Sequence, residues 1–220
     1  GLIVPIGSWV LRESCRLARS WQVRFPEAGP VRLGVNLSPR QLGHPGIVDD
    51  VRTALQTTGL PANLLVIELT ETVLTESTNA SAGLLRGLRG LGVDIYMDDF
   101  GTGYSSLSRL AGFQLQGIKV HHSFVHRMGA RRRDLAIVRS IVDLAGTLGL
   151  RVIAEGVESV AQRERLIAFG CELGQGLLFG GPLDPEGASG VLAAPWPPAT
   201  SIRDVALPPH AAARRSSVRY

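Results

Sequence analysis

Short apolar runs alternate with amphipathic segments along most of the chain. Strands separated by helices pair in parallel through right-handed crossovers, and about seven such units favour a (β/α) barrel over a doubly wound sheet, although periodicity alone fits both. Gly59, Gly92 and Gly149 stand where the intervening helices are expected to end. The runs that predict buried strands are Val31–Leu37, Leu64–Leu69, Val93–Met97, Gly117–Val120 and Arg151–Ala154, with shorter candidates around Glu172 and over Leu177–Phe179.

The pattern changes near the carboxyl terminus. Ser159 followed by Gln162 predicts a capping box that opens a further helix through Phe169. From Pro195 the chain is rich in Pro, Ala and Arg and has no sustained period. We therefore predict one domain over residues 1–194 and a disordered tail over 195–220, which is either a solvated terminus or a basic contact for an acidic partner.

Composition narrows the class of protein. Of the 220 residues 45% are hydrophobic and 19% are charged, which excludes a disordered chain, and no apolar run is long enough to span a membrane. The net charge of +4 resides mostly in the tail, so we expect no DNA or RNA partner. Cys15 and Cys171 lack metal or redox spacing and indicate a reducing compartment, and Lys119 is the single lysine.

Polar residues stand at the end of almost every predicted strand. Each of them alone is explained by a cap or an ion pair. Together, several acidic groups at one barrel mouth would repel each other unless cations lay among them, and carboxylates suit Mg²⁺ or Mn²⁺. Two metals about 3.5–4 Å apart are typical of phosphoester hydrolysis. These residues are Asn36, Glu68, Glu71, Asp98, Asp99, Lys119, His121, Glu155, Glu158 and Gln175.

The segment DDFGTGYSSL, residues 98–107, adds a loop to this site. Two glycines flank Thr102 directly after the acidic pair. Such a loop can approach a substrate or a second subunit.

The sequence resembles the EAL-domain phosphodiesterases, which hydrolyse the bacterial messenger cyclic di-GMP. The resemblance covers residues 1 to about 183 and implies a TIM-like (β/α) barrel and the linear product pGpG. The matching segments occur in the family's order: GLIVPIGSWVL, GVNLSPRQL, VIELTET, MDDFGTGYSSLSRL, IKV…SFV, VIAEGVES and GCELGQGLLFGGPL.

The resemblance also implies roles for individual residues and for partners. It implies two divalent cations (Mg²⁺ or Mn²⁺), a symmetric homodimer formed through the loop, an upstream sensory or GGDEF domain, and a cytoplasmic domain whose membrane anchor, if present, lies upstream. Asn36, Glu68 and Asp98 resemble the ligands of one metal, and Asp98, Asp99 and Glu155 the surroundings of the other. Lys119 resembles the lysine that holds the nucleophilic water, next to Glu155. Glu71 and Glu158 resemble loop anchors, Gln175 a residue on the guanine side, and Arg40 a substrate contact.

The first departure from the family lies at the amino terminus. The glutamate of the motif that names the family, with the first strand and helix, is expected upstream of Gly1, so we predict a barrel that is incomplete there. We expect residues 1–220 alone to hydrolyse little cyclic di-GMP. A version extended upstream by this first β/α unit, called the extended domain below, is expected to be more stable and more active.

The second departure concerns His121. The family's K-x-D reads Lys119-Val120-His121 here, and imidazole suits Mn²⁺ or Zn²⁺ better than Mg²⁺. We therefore keep a metal ligand and simple exposure of His121 and His122 as equal alternatives.

Three classes of function follow. A metal-dependent phosphodiesterase leads, and a weak or inactive domain that senses the nucleotide or binds a protein partner is the main rival. A barrel aldolase or isomerase with a Schiff base on Lys119 is disfavoured, because the surrounding carboxylates would keep the amine protonated.

Overall fold

The computed structural model describes residues 1–71, 79–103, 112–129 and 131–194. These residues form two compact units, one made of residues 1–116 with 185–194 and the other of residues 117–184. The predicted tail and residues 104–107 of the DDFGTGYSSL segment lie outside the described residues.

The first unit is a three-stranded parallel sheet with helices. Leu33 pairs with Leu65 and Asn36 with Glu68, and Thr70 pairs with Asp98, so the strand order follows the chain. The strands are β1 (Leu33–Asn36), β2 (Leu65–Thr70) and β3 (Asp94–Phe100), and the helices are α1 (Ile3–Arg24), α2 (Pro39–Leu42), α3 (Ile47–Thr58), α4 (Asn79–Gly90) and α8 (Pro185–Ala193), with 3₁₀ turns at Pro26–Ala28 and Ala62–Leu64.

The second unit repeats the same arrangement. Lys119 pairs with Ile153 and Ala154 with Gly174, so its three strands are also parallel and in chain order. Its elements are β4 (Gly117–Val120), α5 (His122–Arg127), α6 (Arg132–Thr147), β5 (Arg151–Ala154), α7 (Val160–Ala168) and β6 (Leu173–Gly174).

The predicted helix boundaries agree with the structure. Gly59, Gly92 and Gly149 follow helices with φ of 70°, 87° and 68°, a left-handed conformation that glycine adopts without steric cost. Ser159 and Gln162 form the predicted capping box at the start of α7.

Helix α1 was not predicted from the sequence. Leu11, Cys15 and Ala18 are fully buried at helical spacing, and the helix packs against α3 and β1. In the sequence this spacing is hard to recognise, because exposed apolar residues such as Trp9 and Val10 lie on the other sides of the helix. In the part of the chain that the structure describes, no helix, α1 included, has both the length and the apolarity that a membrane span requires.

Two strand predictions are corrected. Leu177–Phe179 form a turn, in which the backbone N–H of Phe179 and that of Gly180 donate to the carbonyl of Gly176 at 3.0 and 3.3 Å. Turn closure by Gly176 therefore overrides the apolar run. Strand β3 continues to Phe100, so Asp98 and Asp99 belong to the strand instead of following it.

Both cysteines are buried free thiols. Burial raises the pKa of Cys15 to about 11, and it raises that of Cys171 to about 11 as well. A thiol with this pKa is almost entirely protonated at neutral pH and therefore a poor nucleophile, which indicates a packing role for each.

Candidate active site

Three predicted metal ligands share one face of the first unit's sheet. Asn36 lies opposite Glu68 in the β1–β2 register, and Asp98 lies opposite Thr70, two residues further along β2. Side chains alternate along a strand, so all three project from the same face near the strands' carboxyl ends. Asn36 is exposed, Glu68 half-buried and Asp98 buried. This set of oxygen donors fits a hard divalent cation.

The position of Glu68 depends on Gly34. A Cβ atom at Gly34 would lie 2.4 Å from Oε1 of Glu68, well inside van der Waals contact. The Glu68 side chain therefore occupies the space that any side chain at position 34 would fill. This role of Gly34 was not predicted from the sequence, although an isolated glycine within a strand is a recognised sign of close approach.

The acidic pair at the end of β3 has an unusual backbone. Asp99 has φ of 57°, in the left-handed region, where aspartate is one of few side chains tolerated. Its backbone N–H donates to Oδ1 of Asp98 at 2.9 Å, and its carbonyl accepts from the hydroxyl of Thr102 at 2.9 Å. Such a conformation costs on the order of 1–3 kcal/mol and is typical of functional sites.

Glu71 holds the start of the loop. It is buried, and its Oε2 accepts hydrogen bonds from the backbone N–H groups of Gly101 at 3.0 Å and Gly103 at 3.1 Å. A Cβ atom at Gly103 would lie 2.7 Å from Oε1 of Glu71, so this approach requires glycine. Glu71 therefore contacts the backbone of the first residues of the loop, 101–103, and its role as the loop anchor stays a prediction.

The second unit carries a buried charge pair. Nζ of Lys119 lies 2.8 Å from Oε1 of Glu155, and the lysine is only 4% exposed. The Nε2 amide of Gln175 donates to the same Oε1 at 3.0 Å. Because an isolated buried ammonium is very unfavourable, Glu155 both holds Lys119 in place and compensates its charge.

Main-chain hydrogen bonds extend this sheet past the end of β5. The N–H of Glu155 donates to the carbonyl of Val120, and the N–H of Gln175 donates to that of Ala154. The backbones that carry Glu155 and Gln175 are therefore fixed by the ladder and not by their own side chains.

His121 is the amino-terminal cap of α5. Its Nδ1 accepts from the backbone N–H of Ser123 at 3.3 Å, and it is half-buried. His122 is exposed, and the two rings lie 4.0 Å apart between centroids. Simple exposure, one of the two alternatives from the sequence, therefore describes His122 but not His121.

The remaining predicted residues have less specific surroundings. Glu158 is exposed, with Oε2 3.8 Å from Nδ1 of His126, and its backbone N–H donates to the side chain of Gln162. Arg40 is exposed on α2. Gln175 contacts Glu155 as described, and nothing in this geometry bears on a guanine contact, so the substrate role of Arg40 and Gln175 and the loop role of Glu158 stay predictions.

Comparison with known proteins identifies the family. The family model described as EAL domain matches residues 1–182. The bifunctional diguanylate cyclase/cyclic di-GMP phosphodiesterase MucR of Pseudomonas aeruginosa is 43% identical over 84% of this chain, which spans only 27% of the length of MucR.

Solved structures agree with this match. The MucR phosphodiesterase in a cyclic di-GMP complex has a TM-score of 0.80 and 42% identity, covering 86% of this chain and 75% of that chain. A manganese/cyclic di-GMP complex of Klebsiella pneumoniae BlrP1 has a TM-score of 0.70 and 35% identity, covering 80% of this chain and 45% of that one. These similarities confirm the predicted α/β, TIM-like barrel class, and the extent of the family match shows that this chain belongs to the EAL domain family.

Proposed function

We propose that this chain is the phosphodiesterase domain of a bacterial signalling protein and hydrolyses one phosphodiester bond of cyclic di-GMP to give linear pGpG, using divalent cations. The observation that carries the proposal is the buried Lys119–Glu155 pair at the ends of two neighbouring parallel strands, in a chain that belongs to the EAL family. MucR, which is named for this activity, is 43% identical to this chain over the 188 matched residues.

The donor set supports two cations, Mg²⁺ or Mn²⁺. Asn36, Glu68 and Asp98 would hold one, on the sheet face that they share. By the family resemblance Asp98, Asp99 and Glu155 would surround the other, with His121 at the remaining position. Divalent cations bound there would supply an activated water and stabilise the charge that develops on the phosphate oxygens.

Lys119 and Glu155 are the proposed catalytic residues. The Lys119 ammonium donates to Glu155, and by the family resemblance it also holds the attacking water. Its positive charge favours loss of a proton from that water, while Glu155 fixes the ammonium against β5. The Gln175 amide, bonded to the same oxygen, limits the orientation of the Glu155 carboxylate.

The ion pair also bears on the alternative chemistry of Lys119. A Schiff base requires a neutral amine, whereas a carboxylate at 2.8 Å stabilises the ammonium form. The aldolase or isomerase alternative is therefore disfavoured on geometry as well.

The other predicted roles belong to the same proposal. Arg40 and Gln175 contact the substrate, and Glu71 and Glu158 hold the loop that links the metal site to a second subunit in a homodimer. In this proposal an upstream sensory or GGDEF domain regulates turnover; MucR is named as a bifunctional diguanylate cyclase and cyclic di-GMP phosphodiesterase. Because the proposed substrate is an intracellular messenger, the domain would act in the cytoplasm.

The direct test is hydrolysis of cyclic di-GMP by the extended domain, with pGpG measured by chromatography. Glu68→Ala and Asp98→Ala should each abolish turnover and leave the circular dichroism spectrum unchanged, because each removes charge repulsion along with a ligand. Glu155→Ala should also abolish turnover, but it should lower the melting temperature, because it leaves the buried Lys119 ammonium without its carboxylate. Glu164→Ala, an exposed carboxylate on α7, is the matched control and should be fully active. Near-normal turnover in the three site variants would contradict the metal-dependent reading.

A substitution at Gly34 tests the role of Glu68 without replacing any charged residue. In Gly34→Ala the new methyl group displaces the end of the Glu68 side chain, which is flexible, so the fold should tolerate the change while the ligand moves. We expect a loss of turnover of about 10 to 100-fold, the range typical when support for a ligand is removed. The control is Gly146→Ala in α6, where a Cβ meets no atom within 4 Å and alanine favours the helix. Equal activity of the two variants would show that Glu68 is not a ligand.

His121 should decide the metal preference. We expect the extended domain to be weak with Mg²⁺ and better with Mn²⁺, and His121→Asp to raise the Mg²⁺-dependent rate, because a carboxylate restores a hard ligand and a negative charge. Aspartate also caps helices, so α5 should be retained. Titration of both metals checks this, with His122→Asp at the exposed neighbour as the control that should gain nothing.

Two outcomes would change the reading. Full Mg²⁺ activity in the wild type and no gain from His121→Asp would leave His121 with its capping role alone. If neither protein turns over substrate with any metal but both bind it, the domain is a nucleotide sensor or scaffold.

A further inference from the structure

An exposed stripe runs along α1 on the side next to the face buried in the core. It consists of Trp9, Arg12, Arg16, Arg19 and Val23, all exposed, at alternating spacings of three and four residues. This spacing aligns side chains along one side of a helix and is the pattern by which two helices pack lengthwise. From Trp9 to Val23 the stripe is about 21 Å long at 1.5 Å per residue.

The stripe forms one wall of a groove. The other wall is the carboxyl-terminal end of α3, at Thr57 and Thr58, and the groove encloses about 660 Å³. It lies wholly within the first unit. The stripe thus presents an apolar side chain at each end, Trp9 and Val23, and three arginines between them.

The groove carries excess positive charge. Both guanidinium nitrogens Nε and Nη2 of Arg16 donate to Glu13, at 2.9 and 2.6 Å, and this hydrogen bond holds the pKa of Glu13 below its usual value. Glu13 therefore neutralises Arg16. Among the described residues Arg12 and Arg19 have no ion-pair partner, which leaves a net charge of +2 along the groove.

Charge decides between the possible occupants. A second copy of this chain would bring the same arginines against each other, which is unfavourable. A segment with acidic residues facing the middle of the stripe and apolar residues facing Trp9 and Val23 is complementary throughout. The length and the spacing match a helix of about 14 residues better than a compact ligand.

We infer that the α1 groove is a docking surface for an acidic amphipathic helix of a partner protein. Trp9 and Val23 supply apolar contacts at its two ends, and Arg12 and Arg19 pair with carboxylates between them. None of the residues that line the groove is a predicted metal ligand or catalytic residue, so the groove would serve to bind a regulator or a neighbouring protein.

Arg19 also has a structural explanation. A Cβ at Gly59, which caps α3, would lie 3.9 Å from Nε of Arg19, so this cation is placed near the negative end of the α3 dipole. A purely structural role predicts lower thermal stability in Arg19 variants and no effect on binding. The test therefore measures both.

The test uses a fluorescent 21-residue helical peptide and the 220-residue chain. Its contact stripe has Leu at both ends and Glu at the three central positions, and a matched peptide of the same composition carries those Glu residues on the opposite side of the helix. Anisotropy should show binding of the first peptide, weaker at higher salt, and at least tenfold weaker binding of the second. Arg12→Glu/Arg19→Glu should lose at least tenfold for the first peptide and bind a Lys-for-Glu version instead.

Controls separate this result from a general charge effect. Arg132→Glu/Arg133→Glu, the same change at exposed residues of α6, should bind like the wild type. If the charge-reversed protein does not fold, Arg12→Ala/Arg19→Ala and Trp9→Ala replace it, each with an expected loss of binding. No binding of the first peptide, equal binding of both peptides, or an equal loss in the α6 control would overturn the inference. So would displacement of the peptide by GMP or cyclic di-GMP, which would identify a nucleotide site.

Discussion

The alignment of carboxyl ends in parallel strands is the constraint on which the site depends. In the first unit it brings Asn36 beside Glu68 and sets Asp98 two residues beyond, all on one face. In the second it brings Glu155 close enough to Lys119 for an ion pair at 2.8 Å. A register shift of one residue in β2 or β5 would turn the glutamate to the opposite face. The apolar residues of the strands thus position the chemistry by fixing the register, since the core tolerates only one.

Backbone geometry adds what the register does not supply. Gly34 makes room for Glu68, and the left-handed conformation of Asp99 ends β3 in a turn closed by Thr102. Buried Glu71 then holds that turn through the N–H groups of Gly101 and Gly103. Because the Glu71 carboxylate is buried and bound to these N–H groups, it is less available to bind a metal than those of Glu68 and Asp98. The acidic residues at the strand ends therefore have different roles: Glu68 and Asp98 are proposed metal ligands, whereas Glu71 binds backbone N–H groups of the loop.

Much of this was predictable, for identifiable reasons. Strand positions, helix ends and the acidic strand termini follow from apolar runs, from Gly59, Gly92 and Gly149, and from polar residues at fixed places. The family resemblance added the TIM-like form of the barrel, Arg40 and the roles proposed for the individual site residues. Helix α1 escaped prediction because its apolar residues surround it, and Leu177–Phe179 was wrong because backbone turn closure overrode an apolar run. The contact between Gly34 and Glu68 depends on the pairing of two strands, so the isolated glycine in β1 indicates a close approach but not its partner. The capping role of His121 is a local contact with Ser123, but histidine is not among the residues that commonly begin helices.

Anomalous diffraction from crystals of the extended domain, grown with Mn²⁺ and cyclic di-GMP under conditions that prevent turnover, tests the central claim most directly. We expect two manganese peaks about 3.5–4 Å apart, coordinated by Glu68, Asp98 and Glu155, with the scissile phosphate between the metals and Lys119. Ordered nucleotide without manganese at these carboxylates would contradict it.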